Sequence, residues 1–247
     1  MIFFLVSRCC FDENKISIMK LLVLKLSLIF ILDAKAFGPA KIPDDSDWKK
    51  DTVIDGFTIF TRSEEGSSIL GFKLSGVLQA PIEQVMEHLR DVESSSEWTP
   101  GLVKKTTIED ISDIEAITYS VSDLPWPLKR RDYILHNKLF IHEKNKLLYV
   151  ISYSIEDSRK PIDEDFVRAD IGYSNIGLRP VSNKETYIEW TVFADPKGII
   201  PSFIVNFYQK KFGVKFFHAL EKRCVDKPTP LRPGLTKMLN KLREIIK

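Results

Sequence analysis

The sequence predicts an α+β domain: an antiparallel sheet, closed by one long helix, with an apolar pocket between them. Apolar and polar residues alternate through most of residues 57–194, which is typical of half-buried strands. The segments follow one another at hairpin spacing, which favours antiparallel pairing over βαβ units. Residues 199–225 then carry apolar side chains over an unusually wide arc of a helix.

Composition places the chain among ordinary soluble globular proteins. It has 247 residues, of which 44% are hydrophobic and 28% charged. Its 36 basic and 34 acidic residues leave a formal net charge of +2. A nucleic-acid binder usually shows a clear basic excess, so we expect no nucleic-acid partner.

The N-terminal region has the order of segments that is typical of a secretory signal peptide. Lys20 precedes an apolar run that ends at Leu32, and residues 34–36 form an Ala-x-Ala cleavage site. We predict a signal peptide at 19–36, cleaved after Ala36, with residues 1–18 as an upstream extension. An uncut membrane anchor is the alternative, although the run is shorter than the roughly 20 residues that span a bilayer.

Residues 37–47 are interpreted as a leader, which ends in a short helix near Trp48. The main domain is assigned to residues 48–226, and it begins with strands at 57–62 and 68–78. Pro81 opens a helix through residue 92, because proline is favoured in the first helical turn. The apolar positions of this helix recur with a 3.6-residue period: Ile82, Val85, Met86 and Leu89.

Six more strands are predicted before the closing helix. Residues 123–128 between the second and third must form a loop, because two prolines cannot sit in a central strand. The six strands span residues 103–111, 116–121, 132–141, 147–155, 166–179 and 185–194.

The closing helix has two apolar faces about 120° apart. One stripe can pack on the sheet, and the other must cover neighbouring elements, a ligand or a membrane surface. The first face holds Ile200, Phe203, Ile204, Phe207 and Val214. The second face holds Val205, Tyr208, Phe212, Phe216 and Leu220.

The C-terminal tail, residues 227–247, contains a short basic amphipathic helix at 235–246. It is either docked, solvated or laid on an anionic lipid surface. Cys224 is the one cysteine after residue 36, so no internal disulfide is expected. We interpret Cys224 as a small buried helix residue.

Four segments in order resemble the START (StAR-related lipid-transfer) domain family. Residues 124–134, LPWPLKRRDYI, look like the family's loop and Arg-Asp-aromatic strand start. Residues 166–170, FVRAD, are similar to its Val-Arg-Ala strand, and residues 195–201, DPKGIIP, resemble its junction before the C-terminal helix. Asp91 followed by Trp98 fits the pattern after its first long helix. The resemblance covers residues 48–225.

The resemblance implies the helix-grip fold, a curved antiparallel sheet wrapped around a long C-terminal helix with an internal apolar cavity. It implies binding of one lipid or sterol-like molecule, for transfer or sequestration. Sterol-binding members carry an arginine where this chain has Asn137, which puts a sterol ligand in doubt. We expect no cofactor or metal, a monomer, and export to a bacterial periplasm, since animal and plant members usually lack a signal peptide.

The lining of the cavity is predicted from two patterns: the alternation of side chains along the strands, and the first apolar face of the closing helix. The lining is apolar with a few polar groups, as in most small-molecule pockets. A slip of one residue would place the opposite face of a strand in the cavity. The predicted ligand-binding residues are Leu135, Asn137, Leu139, Tyr149, Ile151, Tyr153, Trp190, Ile200, Phe203, Ile204 and Phe207.

Trp126 stands between two prolines and is followed by the cations Lys129 and Arg130. An aromatic tip beside cations suits a membrane interface. We therefore predict transient membrane contact through these three residues; the alternative is a tryptophan folded back on the last helix. Arg131 and Asp132 must point to opposite faces of a strand and are expected to fix the fold.

No catalytic motif is found, and His136 and His142 would lie about 20 Å apart on an extended strand, too far for one metal. Two alternatives to lipid binding remain. One is an enzyme like the polyketide cyclases and aromatases of the same superfamily, acting through Tyr149, Tyr153 or Asn137. The other is a ligand-free interaction module that uses the wide helix.

Overall fold

The structure is a computed structural model that describes residues 47–124 and 127–247. The predicted upstream extension, signal peptide and cleavage site lie outside the described residues. So do nearly all of the predicted leader and Trp126 itself.

Within the described residues, ten strands and four helices follow one another. The strands are β1 (Lys49–Ile54), β2 (Phe57–Ser63), β3 (Leu70–Leu78), β4 (Leu102–Ser112), β5 (Glu115–Ser122), β6 (Arg131–His142), β7 (Leu147–Ser154), β8 (Val167–Arg168), β9 (Asp170–Pro180) and β10 (Thr186–Asp195). The helices are α1 (Ile82–Arg90), α2 (Ser95–Trp98), α3 (Ser202–Asp226) and α4 (Pro233–Ile246).

All ten strands belong to one sheet, in the order β1-β2-β3-β10-β9-β7-β6-β5-β4. Neighbours in this order pair antiparallel, and the short β8 adds a parallel pairing to β6. The pairing of β3 with β10 joins the first three strands to the last ones. The predicted antiparallel α+β architecture is confirmed.

One row of apolar side chains crosses the middle of the sheet on its concave face. Trp190 lies opposite Leu74 on one side and Ile176 on the other. Ile176 in turn pairs with Val150, and Val150 with Leu139. Directly paired residues of antiparallel strands share a face, so five strands contribute to one apolar wall.

Helix α3 lies across this wall, and its closest approach to the sheet is at Gly213. A Cβ atom there would lie 2.5 Å from a methyl carbon of Leu74, so any larger side chain would push helix and strand apart. Beyond Gly213, Phe217 and Leu220 are fully buried. Cys224 is buried as expected, and burial raises the pKa of its thiol to about 12.

The C-terminal helix α4 is docked onto the domain. Its residues Leu235, Leu239 and Leu242 are buried in the main core. The Glu87 carboxylate accepts bonds of 3.0 and 2.8 Å from the Arg232 backbone and guanidinium. Of the alternatives left open for the tail, the structure therefore selects the docked one.

Arg131 and Asp132 point to opposite faces of β6, and each has its own partners, as predicted. Asp132 accepts bonds of 3.0 and 2.8 Å from the two arms of the Arg168 guanidinium on the convex side. Arg131 donates on the concave side to the carbonyls of Lys129, Pro196 and Lys197. The charges thus tie the start of β6 to β8 and to the segment that precedes α3.

One local prediction was wrong. The segment around Trp48 leads into strand β1 instead of a helix, because residues 49–54 pair with β2. The structure adds the short helix α2 around Trp98. The predicted strand 166–179 is divided into β8, which pairs parallel with β6, and β9. The other predicted strands and helices are present, with bounds that differ by a few residues.

We predict that Arg168→Met lowers the free energy of unfolding by about 3–5 kcal/mol, because it leaves a buried carboxylate without its partner. The Asp132 side chain is only 2% exposed. Chemical denaturation measures the change. The matched control is Arg130→Met, whose partner Asp123 is half exposed and whose loss should cost at most about 1 kcal/mol. Equal effects of both substitutions would contradict the prediction.

Candidate lipid-binding cavity

A cavity of about 620 Å³ lies between the concave face of the sheet and the N-terminal half of α3. Its wall is formed by β3–β7, β9, β10 and the helices α1, α2 and α3, together with the loops before β4, β6 and α3. Such a volume falls in the range of about 300–1,000 Å³ typical of small-molecule sites. Apolar side chains predominate, and a few polar groups stand among them.

Aromatic rings form the inner end of the cavity. The Trp190 ring lies 5.2 Å from that of Phe216 and 6.2 Å from that of Phe212, measured between centroids. Trp98 from α2 approaches Phe216 from the other side at 5.6 Å. The indole Nε1 of Trp190 donates to the hydroxyl of Ser174 at 2.9 Å, so this polar atom is satisfied inside the wall.

Asn137 is held in a closed hydrogen-bond network on the cavity wall. Its amide nitrogen lies 3.0 Å from Thr118 Oγ1 and 3.2 Å from the Ala116 carbonyl, to which it donates. Its amide oxygen accepts from the Ser152 hydroxyl at 2.8 Å. These bonds occupy most of the capacity of the side chain. The Asn137 amide therefore stabilises the cavity wall, and most of its hydrogen-bonding capacity is not available to a ligand.

The cavity mouth is formed by Asp123, Leu128, Pro196 and Ile199. Arg131 fixes one side, because its guanidinium donates to the Pro196 and Lys197 carbonyls at 2.9 and 3.0 Å. On the other side, Arg130 donates to Asp123 at 2.6 Å. Loop and helix junction are thus anchored to the same strand start.

Exposed apolar side chains surround the mouth on α3 and the segment before it. Ile199 is 99% exposed, Phe203 72% and Phe207 60%. Among the predicted membrane-contact residues, Lys129 and Arg130 are exposed at the same end of the sheet, and Trp126 lies outside the described residues. An apolar surface of this kind is a common feature of interaction sites.

Five of the predicted ligand-binding residues lie on the cavity wall. They are Leu135, Asn137, Trp190, Ile200 and Ile204. Their contact with a ligand stays a prediction. Leu139 shares their side of the sheet but lies beyond the cavity, where it packs in the core beside a second space of about 50 Å³.

The predicted face of β7 was wrong. Val150 and Ser152 line the cavity, whereas Tyr149, Ile151 and Tyr153 point to the convex side. There the Tyr149 hydroxyl donates to Glu189 at 2.5 Å, and Tyr153 bonds to His136 at 2.7 Å. Because β7 also carries aromatic residues on its convex face, both of its faces resemble buried faces in the sequence. The alternation of residues alone could not show which face lines the cavity.

The predicted face of α3 was wrong in part. Ile200 and Ile204 line the cavity, but Phe203 and Phe207 are exposed, and the other helix residues of the wall lie on or beside the second apolar face. That second face continues past Gly213 to Cys224, whereas beyond Lys211, whose ammonium lies over the Phe207 ring, the first face contributes Val214. The second apolar face extends further along the helix than the first, and this greater length is the sequence signal that could have identified it as the face towards the sheet. The residues missed on this face are Val205, Tyr208, Gln209, Phe212 and Phe216.

The residues proposed for a cyclase-like reaction are not brought together. Asn137 faces the cavity, while Tyr149 and Tyr153 lie on the other side of the sheet. His88 borders the cavity, but its Nε2 is bonded to the Lys227 carbonyl at 2.9 Å. Burial lowers the pKa of this imidazole, which favours its neutral form.

The curved sheet, the long helix across it and the apolar cavity between them define a helix-grip protein. More specifically, the profile of the START domain family matches residues 44–228, and the chain belongs to this family. The resemblance found in the sequence is thereby confirmed.

The relatives have low sequence identity to this chain, but they align with it over most of the domain. Mouse phosphatidylcholine transfer protein is 22% identical, over 72% of this chain and 84% of its own. An uncharacterised protein of Pseudomonas aeruginosa is 26% identical, over 71% of this chain and 86% of its own. The crystal structure of human STARD10 superimposes with a TM-score of 0.68 at 20% identity, covering 85% of this chain and 89% of the other, which supports the fold.

We predict that Phe216→Ala destabilises the protein by about 3 kcal/mol, because it removes a buried ring that contacts Trp190 and Trp98. The control, Phe203→Ala on the opposite face of α3, should change the free energy of unfolding by less than about 0.5 kcal/mol. Thermal and urea unfolding measure both. A larger loss for Phe203→Ala would show that the outer face is the packed one.

Proposed function

We propose that this protein binds one lipid-like amphiphile in the cavity between sheet and α3, for transfer between membranes or for sequestration. The observation that carries the proposal is the cavity itself, apolar, about 620 Å³ and walled by the strand row around Trp190. An apolar space of this kind gains little from water, whereas an alkyl chain or ring system placed there loses contact with solvent. Membership of the START family and a relative named as a phosphatidylcholine transfer protein support the same function.

The cavity argues against a ligand-free interaction module. A domain that acts only through its surface has no reason to keep a large unfilled space in its core, because loss of packing there costs stability. The exposed face of α3 is instead explained as part of the route by which a ligand enters. Ile199, Phe203 and Phe207 stand at the mouth, next to the exposed cations Lys129 and Arg130.

We further propose that the mouth contacts a membrane while ligand is exchanged. Aromatic and aliphatic side chains there can enter the interfacial region of a bilayer, and the cations can meet anionic head groups. In the sequence, Trp126 stands between two prolines, three residues before Lys129. No helix in the described parts of the chain is long and apolar enough to span a membrane.

The binding proposal predicts that an intact lipid co-purifies with the protein at about one molecule per chain. Purified protein, incubated with a lipid extract and repurified, is analysed by mass spectrometry. Val150→Trp should lose the lipid because it fills the cavity from β7, whereas Ile151→Trp, on the other face of the same strand, should keep it. An empty wild-type protein contradicts the proposal, and a chemically altered lipid supports an enzyme instead.

The membrane proposal predicts that Trp126→Ala slows transfer of lipid between vesicles by roughly tenfold, since one aromatic side chain no longer enters the interface. The double variant Phe203→Ala and Phe207→Ala should act in the same direction. Val181→Ala is the control, because this exposed residue lies in the turn at the other end of β9 and β10. Lipid occupancy should stay unchanged in all of them. Unaltered transfer rates in both mouth variants would disprove the contact.

A further inference from the structure

Lys105 of β4 lies on the wall of the cavity. It pairs with Ser120 of β5, which pairs with Tyr133 of β6, so the three side chains form one row on the concave face. Ser122, two residues along β5, belongs to the mouth-side row and bonds to the Tyr133 hydroxyl at 2.9 Å. Lys105 therefore shares its row of the cavity wall with the hydroxyl-bearing residues Ser120 and Tyr133, and this row lies two residues along β5 from that of Ser122.

The other charged groups of the cavity wall already have partners. Asp123 is paired with Arg130 at 2.6 Å, and Asp195 with Lys197 at 2.8 Å. The Arg131 guanidinium is occupied by three backbone carbonyls. Within residues 47–124 and 127–247, by contrast, no hydrogen bond or ion pair joins the Lys105 ammonium to another protein group.

The surroundings of Lys105 do not neutralise it. Burial lowers the pKa of the ammonium to about 8, and the nearby Arg90 acts in the same direction. Asp91 opposes them, but its carboxylate is engaged by the Ser94 hydroxyl and backbone. At neutral pH the side chain is thus mostly charged in an apolar cavity, and an unpaired charge in such a place is unfavourable.

We propose that the ligand of this cavity carries an anionic head, a carboxylate or a phosphate, which pairs with Lys105. The inference rests on the proposed function, since it assumes that an amphiphile occupies the cavity. The anion would complete the coordination of the ammonium, and the Ser120 and Tyr133 hydroxyls lie in the same row to donate further bonds to it. The apolar body of the ligand would lie along Trp190, Phe212 and Phe216.

The pairing also predicts a pH dependence. Binding of an anion stabilises the ammonium, so loss of its proton as the pH rises above about 8 weakens binding. The other titratable groups facing the site do not interfere. Burial raises the pKa of Tyr133 and lowers that of His88, and both shifts favour the neutral form.

The test compares amphiphiles that share a chain and differ in the charge of the head. One pair is oleate and methyl oleate; the other is lysophosphatidate and the monoacylglycerol with the same acyl chain, which lacks the phosphate. Affinities are measured at pH 7 and pH 10 by displacement of a fluorescent fatty acid from delipidated protein. The variant is Lys105→Met, and the control is Lys104→Met, which removes a charge from the neighbouring exposed position of β4. Unfolding temperatures show that each variant is folded, and Lys105→Met should not lower the midpoint, because it removes a charge that has no hydrogen bond or ion pair within the described residues.

Wild-type protein and Lys104→Met are expected to prefer the anionic member of at least one pair by about 10- to 100-fold at pH 7. Lys105→Met should abolish that preference and leave the affinity for methyl oleate intact, and pH 10 should reduce it in the wild type. The pair in which the preference appears identifies carboxylate or phosphate as the head. Equal affinities within both pairs, or a preference that survives Lys105→Met, overturn the inference while leaving lipid binding in place. Failure to bind any of the four compounds overturns the proposed function as well.

Discussion

The packing of Trp190 against the aromatic side of α3 determines where helix and sheet touch and where they separate. Trp190 sits in the middle of β10, and its ring meets Phe212, Phe216 and Phe217 at centroid distances of 5.2–6.3 Å. Gly213 permits the closest approach on the same stretch of helix. Towards its N-terminus α3 buries only Val205, and the space below it is the cavity. The cavity thus follows from contact at one end of the helix.

A second constraint keeps the N-terminal end of α3 in place although few apolar contacts hold it. Arg131 donates to the carbonyls of Pro196 and Lys197, directly before the helix, and to that of Lys129 in the loop. Asn206 reaches across to the backbone of Leu70 at 3.0 Å. Hydrogen bonds of this kind fix position without filling space. Such bonds can hold the N-terminal end of α3 at the cavity mouth without closing the mouth by side-chain packing.

The sequence was sufficient for the order of elements because alternation in the strands and the span of the last helix are local properties. It was insufficient where both faces of an element are apolar. Strand β7 carries Leu148 and Val150 towards the core and Tyr149 towards the convex face, where Glu189 accepts its hydroxyl. Only the pairing of Val150 with Ile176 and Leu139, contacts between distant parts of the chain, settles which set is internal.

The sequence could not identify Lys105 as a cavity residue for the same reason: the inward face of β4 depends on pairing between strands. In sequence it is one of two adjacent lysines in a strand with many polar residues, and a lysine in such a strand is ordinarily solvated. Pairing with Ser120 turns Lys105 inward and leaves Lys104 outside. Two chemically identical neighbours thereby acquire opposite environments. A positive charge placed inward without a partner adds no packing and lowers stability, so its presence is best explained by what enters the cavity.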